Sequence, residues 1–182
     1  MRELSLHVLD LVTNSIEAGA DKVELSIVEN STDDRLIIRV TDNGRGIEPE
    51  LLQKILDPFV TSRKTRRIGL GLPLIEMSTN RCDGYLKVES QVGSGTSVEA
   101  MYKYSHIDRP PLGDIKATIK TIIIANPELD FRYAHKVAGH CFHLATQDLK
   151  EVLGEVPLSS PEVIEWLENY INDGINKLYG GV

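Results

Sequence analysis

Apolar positions recur along this chain in two rhythms. Leu4, Val8, Leu11, Val12 and Ile16 fall at helical spacing and make one apolar face, with His7, Asp10, Asn14 and Glu17 on the opposite stripe. Gly19 suits the C′ position that ends such a helix. Val23, Leu25 and Ile27 then alternate with Lys22, Glu24 and Ser26, the pattern of a half-buried strand. Asn30 to Asp34 reads as a turn and Leu36 to Thr41 as the next strand, so the pair predicts a hairpin that delivers Asp42. Glu48 to Leu56 reads as a short helix with Pro49 in its first turn. A helix to about Asn80 must begin near Gly69 to Leu72, because Pro73 is tolerated only in a first turn. Tyr85 to Ser90 and Thr96 to Met101 predict strands joined by the turn Gln91 to Gly95.

The pattern changes after Asp108-Arg109-Pro110-Pro111, which reads as a linker. Ala117, Ile119 and Thr121 alternate with Thr118, Lys120 and Ile122, predicting a strand that runs on to Ala125. Phe131 to Val137 and His140 to Leu144 flank Ala138-Gly139, a two-residue hairpin signal. Thr146 is expected to cap a helix to about Leu153. Ser160-Pro161-Glu162 combines an N-cap residue, Pro at N1 and early negative charge, and starts a helix that ends near Leu178. No internal repeat and no low-complexity segment interrupts this order.

Composition narrows the classes. The 182 residues are 41% hydrophobic, enough for a real core in one domain of ordinary size or one domain with an appendage. The net charge of -7 argues against a general nucleic-acid binder, which would show a basic face. No apolar run approaches the ~20 residues of a membrane span, and Met1-Arg2-Glu3-Leu4-Ser5 has no signal-peptide pattern. Cys82 and Cys141 suggest no disulfide framework. The expectation is a cytoplasmic protein.

Candidate chemistry gathers in the first half. In Asp42-Asn43-Gly44-Arg45-Gly46-Ile47, the glycines let backbone approach a ligand, and the ionised Asp42 carboxylate is acceptor-only, suited to an exocyclic amino group. Read alone, Asp-Asn-Gly is a common turn. Asp57 to Arg67 is polar and basic, with four Lys or Arg among its last five residues. In an acidic protein that is a local cationic patch facing an anion. Gly69-Leu70-Gly71-Leu72 opens a helix, where exposed N–H groups and the dipole favour phosphate.

Taken in order, four stretches resemble the boxes of the nucleotide-binding domain shared by gyrase, the Hsp90 chaperone, histidine kinases and MutL, the GHKL or Bergerat ATPase superfamily. Leu11-Val12-Thr13-Asn14-Ser15-Ile16-Glu17-Ala18-Gly19-Ala20 is similar to the N box, closest in wording to MutL. Asp42 to Gly46 resembles the first glycine box. Pro58-Phe59-Val60-Thr61-Ser62-Arg63 through Gly69-Leu70-Gly71-Leu72 resembles the histidine-kinase F box and second glycine box, and Gly93-Ser94-Gly95-Thr96 the third. The resemblance covers roughly residues 1 to 104 and implies an α+β fold: a two-layer α/β sandwich with a mixed, mostly antiparallel sheet covered by helices. It divides the chain into an ATP-binding domain over 1–104, a linker over 105–112 and a small α+β region over 113–182.

The resemblance also implies roles. ATP and Mg²⁺ are the implied cofactors. Asp42 would accept the adenine amino group, with Gly44, Gly46 and Ile47 against the base and Thr96 supporting it directly or through water. Asn14 would be a Mg²⁺ ligand, which suits hard-cation chemistry. Gly69, Leu70, Gly71 and Leu72 would meet the phosphates, and Arg63, where many histidine kinases carry Lys, could neutralise their charge. Asp10 departs from the pattern. MutL and the serine-kinase anti-sigma factors carry Glu at this place as general base, and Asp is one methylene shorter, so Asp10 is expected to be either a slow catalytic base or a partner of the hydrated Mg²⁺.

Two classes of function follow. One is a phosphoryl-transfer enzyme, an ATPase or a histidine/serine kinase-like protein acting on a partner in a regulatory, signalling role. The first helix begins almost at residue 1, so no upstream hairpin with a phospho-acceptor is expected, and His7 is expected to be a local hydrogen-bonding group. The alternative is a non-catalytic module in which ATP orders the Asp57 to Ile68 lid and the lid with the C-terminal region docks a partner, as γ-phosphate switches do. Expected partners are ATP or ADP and a regulator or phospho-acceptor protein, with room for a homodimer and none for nucleic acid or membrane. His135, His140, Cys141 and His143 fit no standard zinc spacing and are expected to be ordinary polar and small-core positions.

Overall fold

The structure, a computed structural model, describes residues 3–57, 71–154 and 156–180. The elements run α1 (Leu4–Glu17), β1 (Lys22–Asn30), β2 (Arg35–Asp42), α2 (Pro49–Leu52), α3 (Gly71–Arg81), β3 (Tyr85–Gln91), β4 (Gly95–Lys103), α4 (Ile115–Ala125), β5 (Asp130–Val137), β6 (His140–Ala145), α5 (Thr146–Leu153) and α6 (Pro161–Leu178). The strands form one sheet in the order β3-β4-β2-β1-β5-β6. Every neighbouring pair is antiparallel except β1 with β5. The chain thus adopts the expected α+β arrangement, a mixed and mostly antiparallel sheet with helices over one face.

Register explains why one face is covered. Leu144, Tyr133, Leu25, Val40 and Val98 lie in a single row across the sheet, and Phe142, His135, Ile27, Ile38 and Ala100 in the next. All ten are buried, because side chains two apart share a face. The row beyond, at the C-terminal end of β2, is Val23, Asp42 and Thr96, with Ser90 next to Thr96. Polarity therefore begins on the covered face at one end of the sheet, beneath the C-terminus of α1. The opposite face is polar, with Arg39 on Glu99 and the Tyr85 hydroxyl donating to Glu99 at 2.6 Å.

The region after residue 112 continues this sheet. β5 pairs with β1, and Ile119, Phe131 and Leu167 belong to the same core cluster as Val8 and Leu25. Residues 115–125 are a helix and not the expected strand. Ile115, Thr118, Ile119, Ile122 and Ile123 are the buried positions, spaced three and four apart, and the Asp114 carboxylate accepts from Ala117 N at 2.9 Å as N-cap. The run of Ile and Thr imitated a strand, but the spacing of burial is helical. Thr146 starts α5 without capping it: its hydroxyl donates to Leu129 O and accepts from Phe131 N, tying the helix start to β5. Ser160 likewise makes no side-chain cap, although Pro161 and Glu162 sit in the first turn of α6 as expected.

Candidate nucleotide site

Asp42 ends β2 with its carboxylate held from three sides. Oδ1 accepts from Gly44 N at 2.9 Å and from Thr96 N at 3.2 Å. Oδ2 accepts from the Ser15 hydroxyl at 2.7 Å. An ionised carboxylate has about four acceptor positions, so these three bonds leave one. That remaining position suits one N–H of an exocyclic amino group such as that of adenine. The donor set therefore fits the implied base.

The loop after Asp42 is braced on the end of α1. Gly19 has φ +81°, and Ala20 N reaches back to Ser15 O, so α1 ends in the Schellman pattern. Arg45 Nη1 donates to Glu17 O at 3.0 Å, and Arg45 N donates to Ala18 O. Asn43 Oδ1 accepts from Asp21 N and Lys22 N. These bonds fix the height of α1 over Asp42, and with it the placement of Asn14 and Asp10. Gly46 has φ +71°, and a Cβ there would overlap the backbone of Gln91. Its requirement for glycine thus comes from the close approach of the β3–β4 turn.

On the other side of that turn, Ser90 Oγ accepts from Ile47 N at 2.9 Å and donates to Gly95 O at 2.9 Å. Its one proton being so used, the Thr96 hydroxyl at 2.8 Å donates to Ser90. Thr96 Oγ1 is then left as an acceptor towards a ligand or water.

Asp10 and Asn14 lie one turn apart on α1, and both converge on Gly71, the first described residue of α3. A Cβ at Gly71 would overlap Asp10 Oδ2 and lie 3.8 Å from Asn14 Nδ2. The helix start thus approaches α1 as closely as the absence of a side chain allows. A side-chain amide, whose oxygen can ligate, and a carboxylate within reach of one backbone turn suit a hard divalent cation shared with phosphates. Leu72 packs against the core beside them. Arg63, Gly69 and Leu70, and the lid expected over Asp57 to Ile68 apart from Asp57 itself, lie outside the described residues.

Two residues of this site were not singled out from the sequence. Ser15 neighbours Asn14 but sits on the buried stripe, where a helical Ser reads as bonding back to Leu11 O; that contact is present at 3.3 Å, longer than the one to Asp42. Ser90 had one signal, the hairpin register that sets it opposite Thr96. His7 departs from its expected role as a local hydrogen-bonding group: it is buried, and neither ring nitrogen has a partner among the described residues.

The histidines after residue 112 divide. His135 is fully buried, with Nδ1 2.8 Å from the Tyr133 hydroxyl and Nε2 2.9 Å from Glu29 Oε1, which also accepts from the Tyr179 hydroxyl. Burial pushes the Glu29 pKa up, but the bonds from His135 and Tyr179 and the charge of Arg109 outweigh it and hold the carboxyl below its ordinary value. Cys141 and His143 touch on the open face of β6. No group of three or more candidate metal ligands occurs among the described residues, and none of their helices is long and apolar enough to cross a membrane. A groove of about 600 Å³ runs between α4 and α6, remote from Asp42.

A family described as histidine kinase-, DNA gyrase B- and HSP90-like ATPase matches residues 2–106. Sporulation kinase D of Bacillus subtilis is 37% identical over 91 residues, which are 50% of this chain and 18% of that protein. The sensor histidine kinase ZraS of Salmonella typhimurium is 37% identical over 89 residues, 48% of this chain and 19% of that one. The chain therefore spans under a fifth of the length of these relatives. Among solved structures, the Aquifex aeolicus MutL ATPase domain complexed with ADP aligns with all of this chain and 70% of its own length, with a TM-score of 0.52 at 20% identity. That likeness concerns the fold.

Proposed function

Because the chain belongs to the histidine kinase-, DNA gyrase B- and HSP90-like ATPase family, we propose that it binds Mg-ATP and hydrolyses it or passes the terminal phosphoryl group to a partner protein in a regulatory role. The observation that carries the reading is the Asp42 carboxylate, buttressed by Gly44, Thr96 and Ser15 and left with one acceptor position at the mouth of a glycine-bordered gap. Guanine and hypoxanthine present a carbonyl oxygen where adenine presents its amino group.

The remaining residues divide the work. Gly71 and Leu72 offer backbone N–H groups at the start of α3, where the helix dipole favours an anion. Asn14 offers its amide oxygen as the protein ligand of a Mg²⁺, whose charge would offset that of the phosphates. Asp10 takes the proton of the attacking water or hydroxyl. Its reach to that proton must come to about 2.6–3.2 Å, directly or through one water. Catalysis of this kind is mostly positioning and charge stabilisation, so the chain needs one base and a rigid cradle more than covalent chemistry. The bracing of α1 by Arg45 and Asn43 supplies that rigidity.

The test is calorimetric titration with ATP in the presence of Mg²⁺, followed by labelled ATP with and without candidate partners. Binding together with label released as phosphate, or found on a partner, supports the proposal. Absence of ATP binding would refute it. Binding with no turnover under any condition would leave the gated binding module as the better reading.

A further inference from the structure

Position 7 holds a residue poorly matched to its surroundings. His7 is 3% exposed, on the helix that buries Leu4, Val8 and Leu11, and neither Nδ1 nor Nε2 finds a hydrogen-bond partner among the described residues. A buried polar group without a partner is destabilising, and such groups are uncommon enough to need a reason. Leu or Val would fill the position without that cost. Burial, with a smaller contribution from the positive chain terminus, lowers the ring pKa to about 4. The ring is therefore neutral near pH 7, with one N–H to donate and one lone pair.

Its place on the helix supplies the reason. His7 precedes Asp10 by three residues, so the two lie one turn apart on adjoining stripes of α1, His7 on the buried one. Helical side chains lean towards the N-terminus, which brings the turn that carries His7 within reach of the Asp10 side chain. On its other side that carboxylate meets Gly71. A neutral donor thus sits one helical turn from a carboxylate that has to hold one orientation.

We propose that His7 is a positioning residue for Asp10: with nucleotide bound, its ring N–H donates to one Asp10 carboxylate oxygen and leaves the other aimed at the proton to be taken. This rests on the reading of Asp10 as the base. No bond is made or broken at His7, and no charge moves onto it. The orphaned ring is then a stability cost retained for activity, the trade expected at functional sites.

The experiment compares the parent with His7→Leu, His7→Gln, Asp10→Asn, Asp10→Ala and the His7→Leu/Asp10→Asn double variant. Thermal midpoint, ATP affinity, single-turnover hydrolysis and the imidazole nitrogen resonances of His7 are measured in each. His7→Leu is expected to melt higher than the parent, bind ATP within about twofold, and turn over about 10-fold more slowly or worse, the lower part of the range for a mispositioned base. His7→Gln, which keeps a neutral N–H, should recover part of that loss, and the double variant should be no slower than Asp10→Asn. Mg-ATP should shift the His7 nitrogen resonances in the parent and not in Asp10→Ala, which removes the acceptor. That readout needs no turnover. Identical His7 resonances in those two proteins, or a His7→Leu that is more stable and fully active, would overturn the inference alone. Parent-like turnover in Asp10→Asn would overturn the reading of Asp10 and this inference with it.

Discussion

Replacing Asp42 by Asn should change which base the protein prefers. In the parent, Oδ1 is occupied by the N–H groups of Gly44 and Thr96, so a substituted amide keeps its oxygen there and places Nδ2 where Oδ2 stood. Ser15 loses its acceptor at 2.7 Å but has Leu11 O at 3.3 Å to turn to, so the fold should survive. At the open acceptor position, a lone pair becomes an N–H. Against adenine, one donor then faces another, and the lost bond to a charged acceptor is worth about 1.5–3 kcal/mol. At ~1.4 kcal/mol per decade, ATP affinity should fall by about 10–150-fold. Inosine triphosphate carries an oxygen where ATP carries the amino group, and it should show the reverse. The parent should bind it more weakly than ATP by a similar factor, and Asp42→Asn should close or invert the gap. Calorimetry with both nucleotides on both proteins measures the four affinities, and a melting curve checks the fold. Equal affinity of the parent for the two nucleotides, or unchanged ATP binding in folded Asp42→Asn, would refute the assignment.

Mg²⁺ should tighten ATP binding in the parent and much less in Asn14→Ala, because the amide oxygen is one of few protein ligands on an otherwise phosphate- and water-bound ion; equal enhancement in the two proteins would exclude Asn14. Gly71→Ala should lower turnover without lowering the melting temperature, since the new methyl displaces the Asp10 carboxylate while Ala favours a helix over Gly by up to about 1 kcal/mol; the pair of measurements fails if turnover is untouched. The Glu29 carboxyl has a folded pKa below its ordinary value of 4.5, so its stabilising contribution is complete above that pH and is lost as pH falls below it. Thermal melts taken between about pH 6 and pH 3 should therefore drop more steeply in the parent than in Glu29→Gln, and parallel curves would show that the Glu29 pKa is not lowered on folding.

Much of the site could be read in the sequence because it is local. Asp42, Asn14 and Gly71 sit at element ends that hydrophobic spacing locates, and their residue types carry chemistry that a strand end or helix start makes usable. What could not be read is long-range. Ser90 and Ser15 matter through contacts across 6 and 27 positions, and a serine in isolation has no distinguishing property. The joining of β5 to β1 is a parallel pairing between segments a hundred residues apart, which no local rhythm encodes. The burial of His135 with Glu29 follows from that same pairing. Residues 115–125 were misread for a different reason: Ile and Thr favour strands through their stiff side chains, and the packing of α4 against α1 and α6 overrides that preference.

The most direct measurement is single-turnover hydrolysis of labelled ATP by the parent, Asp10→Asn and Asp10→Glu, with nucleotide affinity determined in parallel. An amide cannot accept a proton, so Asp10→Asn should lose about 10²–10⁴-fold in rate at similar affinity, and Asp10→Glu should equal or exceed the parent if side-chain reach limits the step. Parent activity that persists in Asp10→Asn at unchanged affinity would contradict Asp10 as the base of a phosphoryl-transfer site.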